Sequence, residues 1–286
     1  MVILEILIYG VVASAVYAML AIGLSLIVGL ARVVNMAHGA FYMLGAYGAY
    51  TFSVVLKLPL ALAFLLSLLF VALTALVIEK FCLRPLKGSI EGTLFITLIV
   101  ALLFEEVVHL VYGPAPRSTP TFISGRFVLA GVNIAAQRML VVIVAIVSIF
   151  GLWIFISKTK IGGAILAVSQ DNEAAYLMGI NSKRIILLVN MLGALLAGLA
   201  GLLVAPFLSS NPSMWIFPLI KAFTIVILGG LGSISGSILA ALILGYGETI
   251  VAFIISPRLS ELVPLVILFL VIIMKPRGLM GTETEE

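Results

Sequence analysis

Charge is what this sequence has least of. Lys and Arg number 16 and Asp and Glu 12, so charged residues make up only 10% of the 286, against about 25% in soluble domains. Cysteine occurs once, at Cys82, which excludes a disulfide-stapled secreted scaffold. The two histidines come with no His-Glu-x-x-His stretch and no paired cysteines, so no metal ligands are assigned. No stretch reads Gly-x-x-x-x-Gly-Lys-Ser/Thr, which leaves the chain without the usual phosphate-cradling loop of an ATPase. No nucleophile pairs with a base, and no catalytic residue is assigned. What remains is apolar: 63% of the residues are hydrophobic and the mean hydropathy is +1.33. So few charges cannot cover a water-facing surface, and lipid is the solvent this composition suits. The net charge of +4 resides in basic residues scattered between apolar stretches. They read as topology signals rather than a nucleic-acid patch.

Stretches free of Asp, Glu, Lys and Arg run over 6–31, 33–56, 58–78, 139–157, 185–220 and 222–247. A helix needs about 20 residues to cross a hydrocarbon core of about 30 Å, and each run suffices. A further span over 92–112 carries Glu105, Glu106 and His109 in its second half, and a short one covers 262–274. Nothing alternates polar and apolar as a membrane β-barrel strand would. The turn cluster Ser209-Ser210-Asn211-Pro212-Ser213 splits one long run, with a helix ending near Leu208 and the next starting near Pro218. Gly229 to Gly236 splits the other, leaving a short piece over 219–228 and a full-length one over 236–255. The expected fold is an all-α integral membrane protein, a polytopic bundle of about eight to ten transmembrane helices with broken or re-entrant members. The chain reads as a single transmembrane domain, 1–286, with a polar loop over 158–184.

Counting Lys and Arg orients the bundle. Arg32, Lys80, Arg84, Lys87, Lys158, Lys160, Lys183, Arg184, Lys275 and Arg277 fall on one side, ten of the 16 basic residues, which marks that side as cytoplasmic. The N-terminus is then external and the C-terminus cytoplasmic. Met1 to Glu5 contains no basic residue, unlike the start of a cleaved signal peptide.

Within the cytoplasmic loop lies Ser169-Gln170-Asp171-Asn172-Glu173-Ala174-Ala175-Tyr176-Leu177-Met178-Gly179. Asp171 is a natural N-cap, Asp171 and Glu173 suit the positive helix end, and Ala174, Leu177 and Met178 share a face. Gly179, followed by Ile180, suits a left-handed stop. The pattern predicts a short amphipathic helix lying across the cytoplasmic surface. Glu173, Ala174, Ala175 and Gly179 resemble the coupling motif of bacterial ABC-importer permeases. Three other stretches resemble one branch of that superfamily, the LivH-type branched-chain amino-acid permeases. These are Val34-Asn35-Met36-Ala37-His38-Gly39-Ala40-Phe41-Tyr42 with Gly45, the Gly-rich element from Lys221 through Gly229-Gly230-Leu231-Gly232 to Gly236, and the tail Lys275-Pro276-Arg277-Gly278-Leu279. The likeness spans almost the whole chain.

The resemblance implies an ATP-driven permease subunit in a prokaryotic plasma (inner) membrane, moving branched-chain or related hydrophobic amino acids by alternating access. It implies as partners a second related permease, two cytoplasmic ATP-binding subunits and an extracytoplasmic amino-acid-binding protein. ATP and Mg would belong to those partners, with no cofactor in this chain. Asp171, Glu173, Ala174, Ala175, Leu177 and Gly179 would couple to the ATPases. Related permeases serve urea or amides, which keeps another small solute as an alternative substrate. A stand-alone secondary transporter is the alternative of a different class, and it would need coupling-ion ligands within the spans.

Asn35, His38 and Gly39 at the start of the second span, Gly229, Gly230 and Gly232 at the helix break, and Glu248 deep in its span are candidates for the translocation path. Each also has a plain structural reading, as a helix start, a shielded helix break or a charge neutralised within the protein. The Gly-rich element nearly imitates a dinucleotide fingerprint, but its third glycine is one place late and no soluble strand precedes it. A charge at the bilayer centre costs about 2.5–3.5 kcal/mol, so such residues must face protein or water. Glu105 and His109, four apart, are expected to partner each other near the outer end of their helix, and Lys221, placed at the outer boundary, is a candidate ion-pair partner for Glu248. Gly193, Ala197 and Gly201, with Gly45 and Ala49, read as close helix packing.

Overall fold

The computed structural model describes residues 2–31, 35–86, 89–129, 131–275 and 278–280. Arg32, Val33, Val34, Lys87, Pro276 and Arg277, used above for topology or motifs, lie outside the described residues. The chain opens with α1 (Val2–Ala31) and α2 (His38–Tyr50), which continues through a π-helical turn (Thr51–Val55). Then come α3 (Leu60–Ile78), which runs on through a second π-helical turn (Glu79–Leu83), and α4 (Ile90–Tyr112). An antiparallel hairpin, β1 (Arg126–Leu129) and β2 (Val132–Ala135), leads into α5 (Ala136–Lys158), α6 (Lys160–Gln170) and α7 (Asn172–Leu177). The remainder is α8 (Ser182–Val204), α9 (Ile216–Gly229), α10 (Ile234–Ile254), α11 (Pro257–Ser260) and α12 (Val263–Met274).

Among the described residues seven helical segments are long and apolar enough to span a bilayer. The shorter α2 and α9 complete an all-α polytopic bundle. α1 is its axis: 78% of its most apolar window is buried, against 11% for the segment ending in α12. It packs on α8, α9 and α10, and small residues let backbones meet. Gly23 lies against Gly193, and a Cβ on Gly45 would strike the Gly198 carbonyl. Ala49 and Ala197 are fully buried. The small residues therefore serve close packing, as their spacing predicts.

Several boundaries differ from expectation. α8 ends at Val204 rather than near Leu208, and α9 starts at Ile216, because the 205–215 turn folds inward and buries Trp215. The 158–184 loop holds two helices, not one. Thr159 caps α6 by accepting from the Gly162 N–H, and Gly162, Ile165 and Val168 turn inward. The β-hairpin was not expected at all.

Candidate functional site

The short helices α2 and α9 begin inside the bundle. His38 Nε2 donates to the Leu20 carbonyl at 2.9 Å, and Leu20 is about 16 Å along α1 from its end at Ala31, at 1.5 Å per residue. His38 is fully buried, and among the described residues its Nδ1 has no partner. Asn35 shapes the helix start: its Oδ1 accepts from the Ala37 N–H at 2.9 Å, and its carbonyl accepts from the His38 N–H. The Met36 N–H donates to Thr97 on α4. Gly39 is the contact point with α9, since a Cβ there would meet the Trp215 carbonyl at 2.5 Å and Leu219 at 2.9 Å. Trp215 donates its indole N–H to Glu105 at 2.7 Å. This corrects the expected Glu105–His109 pair: His109 and Glu106 are exposed, and the buried indole claims the carboxylate.

One turn of α1 beyond Leu20 stands Tyr17, and around it gather Lys221 of α9 and Glu248 of α10. Lys221 Nζ is 2.9 Å from Glu248 Oε2 and 2.7 Å from Tyr17 Oη, and the Tyr17 hydroxyl also donates to Glu248 Oε2. The ion pair expected between Lys221 and Glu248 is present. Lys221 is not at the outer boundary, however, but level with the middle of α1. Tyr17, which gave no sequence signal, bridges the pair.

Gly229, Gly230 and Gly232 form the tight reversal between α9 and α10. Gly230 and Gly232 have φ of 101° and 81°, values that favour glycine, and Gly232 lies against Gly29 of α1. The tail closes over this turn, with the Leu279 N–H donating to the Leu228 carbonyl at 2.7 Å and the Met280 N–H to the Gly229 carbonyl. Two stretches singled out in the sequence thus share one structural feature.

At the end of the bundle that carries α7, a cavity of about 1240 Å³ opens between α1, α3, α4 and α8. Ile27 and Leu30 supply an apolar wall, while Asn35, Glu79, Thr93 and Asn190 form a buried polar patch. Asn190 Nδ2 donates to Glu79 Oε2 at 2.6 Å. Glu79 lies just past its apolar run, and an acid beside Lys80 was the signal that could have marked it.

The cavity's rim is α7 itself, through Glu173, Tyr176, Leu177 and Gly179. Asp171 Oδ1 accepts from the Glu173 and Ala174 N–H groups at 2.9 and 3.0 Å, a capped helix start as predicted. Gly179 has φ of 84°, the left-handed stop. The Ile180 N–H then donates to the Ala175 carbonyl, and Ala175 is the residue turned inward. Ala174 is exposed, and Tyr176, Leu177 and Met178 are 72%, 84% and 83% exposed.

The chain resembles known transport proteins over nearly all its length. It is 33% identical to the high-affinity branched-chain amino acid transport system permease protein BraD of Pseudomonas aeruginosa, covering 99% of this chain and 97% of that one. It is 30% identical to the corresponding LivH protein of Escherichia coli, over 97% and 95% of the two chains. Among solved structures, PsaBC from Streptococcus pneumoniae in complex with Fab aligns with a TM-score of 0.54 at 12% identity, covering 95% of this chain and 92% of that one, a likeness of fold. Residues 6–272 match the family described as branched-chain amino acid transport system / permease component. The chain, an axial helix with two short helices started inside its bundle, belongs to that family of membrane permease subunits.

Proposed function

We propose that this chain is one of two related permease subunits that carry branched-chain amino acids across a prokaryotic plasma membrane by alternating access. Two ATP-binding subunits on the cytoplasmic side hold ATP and Mg, and an extracytoplasmic binding protein delivers the substrate. The N-terminus is external, and the α7 end and C-terminus are cytoplasmic. The basic residues Lys80, Arg84, Lys158, Lys160, Lys183, Arg184 and Lys275 at the α7 end support that orientation.

The observation that carries the reading is α7. A short helix capped by Asp171 and stopped by Gly179 presents Tyr176, Leu177 and Met178 to solvent. Three adjacent large apolar side chains outside a membrane span suit burial against a partner protein. α7 also borders the cavity, so force applied to it acts on the walls formed by α1, α3 and α8. Asp171 and Gly179 fix the helix ends, Glu173 and Ala174 offer the first exposed turn, Ala175 seats the helix on the bundle, and Leu177 fills a recess of the ATPase. Asn35, His38 and Gly39 set the start of α2 beside the path, Gly229, Gly230 and Gly232 form the reversal on which α9 and α10 move, and Glu248 faces the path through its pairing with Lys221.

The test is substitution of Glu173 and Gly179 in proteoliposomes holding the whole assembly. ATP-dependent uptake and ATPase association are expected to be lost with membrane insertion intact. Uptake that survives loss of the ATPase subunits would instead identify a stand-alone carrier.

A further inference from the structure

The 113–135 loop joins two spanning helices, α4 and α5, at the end of the bundle opposite α7. Its path crosses over protein. The Arg117 N–H donates to the Ser210 carbonyl at 2.8 Å and the Ser210 N–H to the Arg117 carbonyl at 2.9 Å. This ties the loop to the turn that leads into α9. The Phe122 ring meets Phe64 of α3 edge-on at 5.7 Å. The Phe122 N–H donates to Gln137 Oε1, and Gln137 Nε2 donates to the Leu203 carbonyl of α8, each at 3.0 Å. The loop ends in the β1–β2 hairpin, whose two faces differ. Val132 and Ile134 are buried and seat it on the bundle. The register sets Arg126 opposite Ala135 and Val128 opposite Asn133, so these four share the other face, and all four are exposed. Phe127 and Val128 are 59% and 69% exposed. No Asp or Glu occurs between 113 and 136, where Arg117 and Arg126 supply the charge.

We propose that the outer face of this hairpin, Arg126, Val128 and Asn133 with Phe127 at its rim, is the surface on which the extracytoplasmic binding protein docks. This rests on the permease reading given above. Exposed apolar side chains beside a guanidinium fit a protein that brings a carboxylate to Arg126 and an apolar patch to Val128 and Phe127. Lipid headgroups would suit a loop at the flank of the bundle, whereas this one is pinned to α3, α8 and the 205–215 turn. The same pinning gives docking a route inward. Through the Arg117–Ser210 pair, a load on the loop reaches the turn whose Trp215 precedes α9 and holds Glu105 of α4. The hairpin is then to the external partner what α7 is to the ATPases.

The test uses the complete transporter in proteoliposomes, with its leucine-loaded binding protein as the probe. Arg126→Glu and Val128→Asp alter exposed side chains, so both variants are expected to keep the wild-type thermal midpoint and to co-purify with the ATP-binding subunits. The binding-protein concentration that half-saturates leucine uptake is expected to rise about ten-fold or more in each. Wild-type docking should weaken as salt is raised, and docking to the Arg126→Gln variant should respond less. Unchanged half-saturation in both variants overturns the proposal. A bimane label at Asn133→Cys, in an otherwise cysteine-free transporter, is expected to be quenched by iodide, and less so once binding protein is added. Quenching by spin-labelled lipid instead would place the hairpin in the bilayer and overturn the proposal. A wild-type transporter that takes up no amino acid with its binding protein present would overturn the function on which the proposal rests.

Discussion

Two regions of this permease hold residues at odds with their surroundings, and they resolve the conflict in opposite ways. At mid-depth, Lys221 and Glu248 are charges within apolar helices packed on the axial α1, and they are reconciled internally, by each other and by Tyr17. On α7, Tyr176, Leu177 and Met178 are apolar side chains outside the spans, and none of the described residues covers them. A misplaced charge must be answered at once, because desolvation penalises the fold itself. A misplaced apolar side chain on a helix capped at Asp171 and stopped at Gly179 can wait for a partner. The first region thus reports on folding, the second on assembly.

The largest expected effect breaks the internal half of that comparison. Lys221→Met leaves the Glu248 carboxylate without a counter-charge and with the Tyr17 hydroxyl alone, and removing one member of a buried pair costs about 3–5 kcal/mol. The yield of folded permease in membranes and its thermal midpoint are expected to drop sharply, with K221M/E248Q recovering most of the loss. Equal stability of single and double variants would mean that water, not the pair, solvates Glu248.

On the external half, Leu177→Asp is expected to leave the thermal midpoint of the isolated permease unchanged, because Leu177 is 84% exposed. Co-purification of the ATP-binding subunits and ATP-dependent uptake should both fall to background. Stability loss in the isolated subunit would show that α7 packs against its own chain.

Much of this was legible in the sequence where the cause is local. Run length marks the spans, because crossing hydrocarbon requires a fixed number of residues. The ends of α7 followed from Asp171 and Gly179, whose roles depend on backbone within a few residues. The Lys221–Glu248 pair was legible for a different reason: few charges lay within the spans, so the choice of partner was narrow. What stayed hidden depends on distant chain segments. Nothing near Trp215 announces Glu105, and nothing near His38 announces the Leu20 carbonyl. The inward start of α9 goes with that indole contact, and it carries Lys221 deeper than its place in the sequence implies. The helix α6 is hard to read although Ile161, Ile165 and Val168 carry helical spacing, because the polarity of the whole loop masks it.

A smaller effect sharpens the contrast at the place where the two short helices meet. Trp215→Phe keeps the aromatic volume but removes the donor to Glu105. A hydrogen bond to a charged group contributes about 1.5–3 kcal/mol, so a moderate fall in thermal midpoint is expected. Glu105→Gln, which keeps an acceptor, should lose less. Equal losses would place the value of this contact in charge rather than in the bond.

The smallest effect concerns the cap of α7. Asp171 accepts from two backbone N–H groups at the helix start, and replacing such a cap by alanine costs about 1 kcal/mol. Because α7 touches the bundle mainly through Ala175, that loss is confined to local opening rather than shared with the global fold. Asp171→Ala should therefore speed amide hydrogen exchange at Glu173 and Ala174 about five-fold, the equivalent of 1 kcal/mol, with exchange in α1 and α8 unaltered. ATPase coupling is expected to weaken without being lost, since Tyr176, Leu177 and Met178 remain and partner binding can re-form the turn. Faster exchange spreading into α8 would show that α7 and the bundle open together as one cooperative unit.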